Sequence, residues 1–239
     1  MINALILSIE TSTSACSVAL HENGQLLGTQ MLNQEGSHSK RLTILIDQLM
    51  EHCERKLACL SAIAVSIGPG SYTGLRIGLA TAKGLCFGLD LPLLTIPTLK
   101  ILANSYQGLK SSQIGLLPML DARRMEVYSA IYQSDNLVEI DSVKPVILEE
   151  DSYQLHQIDQ IVAFGNGAAK FKTISQAKHI QFHEGPLHPE AKFMGNLALD
   201  LFLNQEFENI VTVEPQYLKE FVGTTPKKNS LLHGRDDHQ

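Results

Sequence analysis

Thr11, Ser12, Thr13 and Ser14 follow directly on Glu10 at the end of an apolar run. Small hydroxyl residues in a turn between two strands can offer backbone N–H groups and hydroxyls to a phosphate, and Glu10 could orient a metal-bound one. The same stretch also reads as a polar hairpin turn held by local Ser/Thr hydrogen bonds. A second segment, SIGPGSYTGLRIG over residues 66–78, sets Gly68, Gly70 and Ser71 just before a helix start. Backbone N–H groups there attract anions. The Walker A order of Gly, four residues, then Gly-Lys-Ser/Thr is missing. Asp121, Arg123, Arg124 and Glu126 crowd a third turn, which reads either as a charged site or as a salt-bridged turn. His179 and His183 would share one helix face and could hold a metal. The alternation around them predicts a strand instead, on which four residues span about 13 Å, too far for one ion. No nucleophile elbow, cysteine–histidine pairing or carboxylate pair stands out. No residue is therefore assigned a catalytic or metal-ligating role.

The helix predicted over residues 72–88 contains Gly74, Gly78 and Gly84. Each costs about 1 kcal/mol relative to alanine, and close backbone approach is the usual compensation. Helical periodicity puts Gly74, Gly78, Thr81, Ala82, Leu85 and Gly88 on one side, flanked by Ile77 and Gly84, with Arg76 and Lys83 opposite. That side packs either on its own lobe or on another chain. Before it, Leu42, Leu45, Ile46, Leu49, Met50 and Cys53 recur as one apolar stripe, which predicts a helix over 37–54. Both helices form the candidate partner surface, with Leu42, Leu45, Ile46, Leu49, Gly74, Arg76, Ile77, Gly78, Thr81 and Ala82 as its residues. Taken alone, Arg76 reads as an ordinary solvated arginine. The candidate nucleotide or anion contacts are Glu10, Thr11, Ser12, Thr13, Gly68, Gly70 and Ser71.

The elements that must position these residues are those of a mixed α/β protein. Three strands open the chain (4–9, 15–20, 25–32), with Asn23-Gly24 as the hairpin signal. Helix 37–54, strand 62–67, helix 72–88 and strand 93–96 follow, an antiparallel start continued by parallel crossovers. The second half resumes with a helix at 98–106 and strands at 115–120, 125–132 and 137–147. A β-α pair (161–164, 167–174) and a long helix over 189–204 complete it, Pro189 suiting a first helical position. Both halves begin with strands before alternating, which hints at two related lobes.

Composition narrows the class. The 239 residues are 44% hydrophobic with a net charge of −6, and mean hydropathy is near zero, as in an ordinary soluble globular protein. No apolar run reaches the roughly 18 residues of a membrane span, and no signal peptide is visible, so a cytoplasmic protein with no membrane contact is expected. Cys16, Cys53, Cys59 and Cys86 lack the spacing of a zinc site or a disulfide framework, and fit reduced thiols. Cations cluster only as Lys40-Arg41, Arg123-Arg124 and Lys227-Lys228. Phosphate contacts dominate RNA affinity, so any RNA must be reached mainly through a partner.

The LILSIETST run at 5–13 with CSVAL at 16–20, His38-Ser39, AIAVSIGPGSYTGLRIG at 62–78, DAR at 121–123 with EVY at 126–128, and PQYLK at 215–219 together resemble the TsaB (YeaZ) family. The resemblance runs from residue 3 to about 220. Asp varies with Glu at the place of Glu10 in that family, and Lys219 stands where arginine is common. The resemblance implies a two-lobe actin-like, hsp70-like, sugar-kinase (ASKHA) fold, each lobe a mixed sheet with helices. The lobes would span 1–104 and 105–221, the last helix packing back on the first lobe, with a mobile tail at 222–239. It also implies a non-catalytic scaffold or activating subunit for threonylcarbamoyladenosine synthesis in tRNA beside the anticodon. TsaD would be its direct partner through the first-lobe helices, with the ATPase TsaE joining the complex. No intrinsic cofactor is implied, ATP or ADP entering with the complex, and the isolated chain reads either as a homodimer or as a monomer. TsaD-like proteins carry a metal-binding HxxxH, whereas here Leu42 stands four residues after His38. A stand-alone ATPase or small-molecule kinase of this fold, and a metallopeptidase, are the rival readings.

Overall fold

Every side chain of the first strand, β1 (Leu5–Glu10), is buried, as an apolar run must be when both faces of a sheet are covered. The computed structural model describes residues 3–34, 38–153, 158–185 and 187–218. Strands β2 (Ala15–Glu22) and β3 (Gln25–Asn33) fold antiparallel onto β1. Their turn puts Asn23 and Gly24 at φ 51 and 80, the left-handed pair that a two-residue hairpin needs. Helix α1 (His38–His52) then leads to β4 (Ala62–Gly68), helix α2 (Tyr72–Leu89) and β5 (Leu93–Pro97). Strands β4 and β5 extend the sheet in parallel, in the order β3-β2-β1-β4-β5.

Helix α3 (Thr98–Asn104) joins this sheet to a second one. That sheet contains β6 (Ile114–Asp121), β7 (Glu126–Gln133), β8 (Glu139–Ile147), β9 (Gln160–Phe164) and β10 (Ile180–Phe182), in the order β10-β9-β6-β7-β8. Its antiparallel meander and parallel extension repeat those of the first sheet strand for strand. The hint of two related halves is thus realised as one topology used twice. Helix α4 (Ala168–Lys172) connects β9 to β10.

Alternation along β1 divides the first core. Leu5, Leu7 and Ile9 face α1 and α2 and pack with Leu42, Ile46, Leu49, Leu79, Ala82 and Cys86. Ala4 and Ile6 face the other way, onto Ala191, Met194 and Ala198. Those last residues belong to a 3-10 turn (Ala191–Met194) and to helix α5 (Gly195–Leu203), so this segment packs on the first sheet. The helix predicted over 189–204 is found two residues later: Pro189 precedes it, its first turn (Ala191–Met194) is 3-10 and runs directly into α5, and Gly195 lies against the Gly24 carbonyl and the His21 ring. Residue 37 and the tail at 222–239 lie outside the described residues.

After α5 the chain turns round the β5 edge. Glu208 N–H donates to Leu93 O at 2.9 Å, and Gln216 N–H to Ile67 O at 2.7 Å. Ile210 and Val213 pack on the α1/α2 side of the core. This return segment covers an edge strand that would otherwise be open to pairing.

Candidate functional site

Thr11 and Ser12 sit under the N-terminal half of α2. The Thr11 hydroxyl donates to Gly74 O at 2.8 Å, Ser71 N–H donates to Ser12 O at 2.6 Å, and Ser12 N–H donates to a Glu10 carboxylate oxygen at 2.6 Å. Ser71 caps the helix, its hydroxyl accepting from Gly74 N–H. A Cβ on Gly74 would collide with Thr11 O, one on Gly78 with Thr11 Oγ1, and one on Gly70 with Ser12 O. The glycines therefore compensate their helix penalty by letting α2 rest on the β1–β2 turn. The candidate nucleotide contacts are brought together, but as a packed joint. Glu10, Thr11 and Ser12 are buried, while Thr13, Gly70 and Ser71 lie at its rim. Gly68 faces the Gln216 carbonyl of the return segment.

Glu10 is the unusual group of this joint. Burial pushes its carboxyl up from 4.5 to about 7, against the lowering effect of Ser12 and Ser66 beside it. Among the described residues, Glu10 Oε2 and the hydroxyls of Ser12, Ser66 and Thr98 lack a hydrogen-bond partner.

The partner surface read from the sequence needs correction on the same grounds. Leu42, Ile46, Leu49, Gly74, Gly78 and Ala82 are buried in the chain's own core and present nothing to another molecule. The apolar side of each helix met the sheet, which is the alternative that periodicity had left open. Leu45, Ile77 and Thr81 are half-buried, and Arg76 is exposed. The outward ridge of α2 is instead Thr73, Arg76, Ala80, Gly84 and Phe87, with Phe87 81% exposed. A Cβ on Gly84 or Gly88 would meet nothing within 4 Å. Sequence reading passed over Phe87, although periodicity places it about 20° round the helix from Arg76, on the side assigned to solvent.

Arg76 is not a free solvated side chain. Its Nε donates to the Tyr217 hydroxyl at 2.9 Å, and its guanidinium lies 4.1 Å from the centre of the Tyr72 ring.

The remaining candidates resolve as structure. Asp121 ends β6, as Glu10 ends β1. Burial raises its pKa, but the hydrogen bonds from Lys170 and Arg123 N–H outweigh that and leave it below the usual carboxylate value. Lys170, from α4, bonds Asp121 at 3.0 Å and also the carbonyls of Arg124 and Glu126. The turn is salt-bridged, by the distant Lys170. Replacing Lys170 with methionine should destabilise the protein by about 1–3 kcal/mol. Urea unfolding measures this, and no change would mean the turn holds itself. His179 and His183 flank the short strand β10 and meet different neighbours, the Tyr153 carbonyl and the Tyr106 ring. His38 approaches Ala15 O, and Leu42 four residues on is core. No helix among the described residues is long and apolar enough to cross a membrane.

A family model for TsaD, tRNA N6-adenosine threonylcarbamoyltransferase, matches residues 26–234. The tRNA threonylcarbamoyladenosine biosynthesis protein TsaB of Escherichia coli K12 is 32% identical over 91% of this chain and 95% of its own length. This chain belongs to the TsaB (YeaZ) family. The TsaB of Haemophilus influenzae agrees, at 31% identity over 93% of this chain and 96% of its own. YeaZ from Pseudomonas aeruginosa superposes with a TM-score of 0.78 at 28% identity, covering 90% of this chain and all of that one. The glucomannokinase of an Arthrobacter strain shares the fold alone, with a TM-score of 0.50 at 13% identity, covering 84% of this chain and 100% of that one. The family and the doubled topology together make this an ASKHA-type protein of the threonylcarbamoyladenosine pathway.

Proposed function

We propose that this chain is a non-catalytic scaffold and activating subunit for threonylcarbamoyladenosine formation in tRNA. It binds TsaD through the outward ridge of α2, and TsaE joins through that complex. One observation carries the reading: the turn with the chemistry to meet a phosphate directs its hydroxyl and carbonyl groups into α2. The helix so fixed turns an apolar aromatic, Phe87, to the outside. Aromatic residues framed by small ones suit the centre of a protein interface. A net charge of −6 fits tRNA being held mainly by the partner. ATP or ADP then enters with the complex. The same ridge serves a homodimer of the isolated chain, so self-association and TsaD binding compete. All of this takes place in the cytoplasm.

Two measurements test it. The pure chain should neither hydrolyse ATP nor modify tRNA in single-turnover assays, and tRNA modification by this chain alone would reject the non-catalytic role. Phe87→Asp would place a carboxylate in the buried contact, costing about 2 kcal/mol or more. TsaD affinity should therefore fall at least about thirtyfold. An unchanged affinity for a folded Phe87→Asp chain would remove the Phe87 end of the ridge from the interface.

A further inference from the structure

The return segment ends beside that ridge. Gln216 is bonded to Ile67 at the end of β4, and Tyr217 follows with its ring centre 4.8 Å from that of Tyr72. Arg76 rests on Tyr72, donates through Nε to Tyr217, and lies 5.8 Å from the centre of the Tyr217 ring. A guanidinium held by two rings and one hydroxyl loses little further freedom on binding. No ion pair joins it to an acidic side chain among the described residues. The remaining N–H donors form a fork that matches a carboxylate.

We propose that Tyr217 is a positioning residue of the partner surface: with Tyr72 it fixes Arg76 at the N-terminal end of the α2 ridge to receive a carboxylate of the docking partner. The inference rests on the α2 reading above and adds a second region of the chain to it. Phe87 supplies the apolar contact at one end of the ridge, and the clamped arginine supplies an acid-specific contact at the other. An acidic side chain on the partner, rather than an apolar one, is the matching group.

The test is TsaD affinity of the full chain by calorimetry at low and high salt. Four variants, Arg76→Lys, Tyr217→Phe, Tyr217→Ala and Phe87→Asp, are compared after circular dichroism has established that each is folded. Arg76→Lys keeps the charge but not the fork and should weaken binding about tenfold. Tyr217→Phe keeps the ring and loses the hydroxyl, and should weaken it about threefold. Tyr217→Ala should approach the loss seen for Arg76→Lys. The wild-type affinity should fall with salt, and that dependence should flatten in Tyr217→Ala, a change that mere loss of packing does not produce. Wild-type affinity in Arg76→Lys and Tyr217→Ala, alongside a loss in Phe87→Asp, would overturn the clamp and leave the α2 reading standing. Loss in the clamp variants with none in Phe87→Asp would uphold the clamp and remove Phe87 from the contact. No loss in any variant would overturn both.

Discussion

Gly78→Leu is expected to destabilise this protein by about 3 kcal/mol before it affects any association. The leucine Cβ already collides with Thr11 Oγ1, and Thr11 has nowhere to retreat because its hydroxyl is bonded to Gly74 O inside a buried turn. Overpacking of this kind typically costs about 1–3 kcal/mol, and loss of the Thr11–Gly74 hydrogen bond adds about 1 kcal/mol. For a chain of this length the melting temperature should drop by about 10 °C. Gly84→Ala is the matched control on the same helix. Its Cβ meets nothing within 4 Å, so removing a helical glycine should stabilise by about 0.5–1 kcal/mol. Thermal melts of the two variants decide the matter. Equal, small effects would mean that α2 does not rest on the β1–β2 turn.

Glu10→Gln should change how stability depends on pH. The folded-state pKa is raised from 4.5 to about 7 by burial, so the folded protein keeps a proton that the unfolded chain releases. Below about pH 4.5 both states are protonated and the native state bears no penalty. As pH rises from 4.5 to 7 the unfolded state gains the advantage, and stability falls by about 3 kcal/mol. Above pH 7 both states are ionised and this loss is complete. The glutamine variant has nothing to titrate there, while its amide oxygen can still accept from Ser12 N–H. The stability difference between variant and wild type should therefore move by about 3 kcal/mol in the variant's favour between pH 4.5 and pH 8. Urea unfolding at both values measures it. Parallel pH profiles for the two proteins would show that Glu10 is solvated.

Much of the fold was legible because its signals are local. Alternation and the Asn23-Gly24 turn located the opening strands, the 3.6-residue stripe of Leu42, Ile46 and Leu49 located α1, and Ser71 marked the start of α2. The 3-10 character of the turn before α5 was not legible, and neither was the contact of Gly195 with Gly24 and His21 from another part of the chain. The return of residues 208–217 to β5 and α2 was equally hidden, since nothing near Tyr217 in sequence records that it meets Arg76.

By itself the sequence determined the class of the protein. Its motifs run nearly the whole chain, and the glycines of α2 announce a close approach. It did not determine what comes close. Helix periodicity records that a face is packed but not whether the other body is the same chain or a second one, because apolar and small residues serve both. Only the tertiary structure, by bringing Thr11 and Ser12 beneath Gly70, Gly74 and Gly78, assigned that face to the core. The opposite ridge of α2 stays exposed, because a helix face already in contact with its own β1–β2 turn has no atoms free to meet another chain.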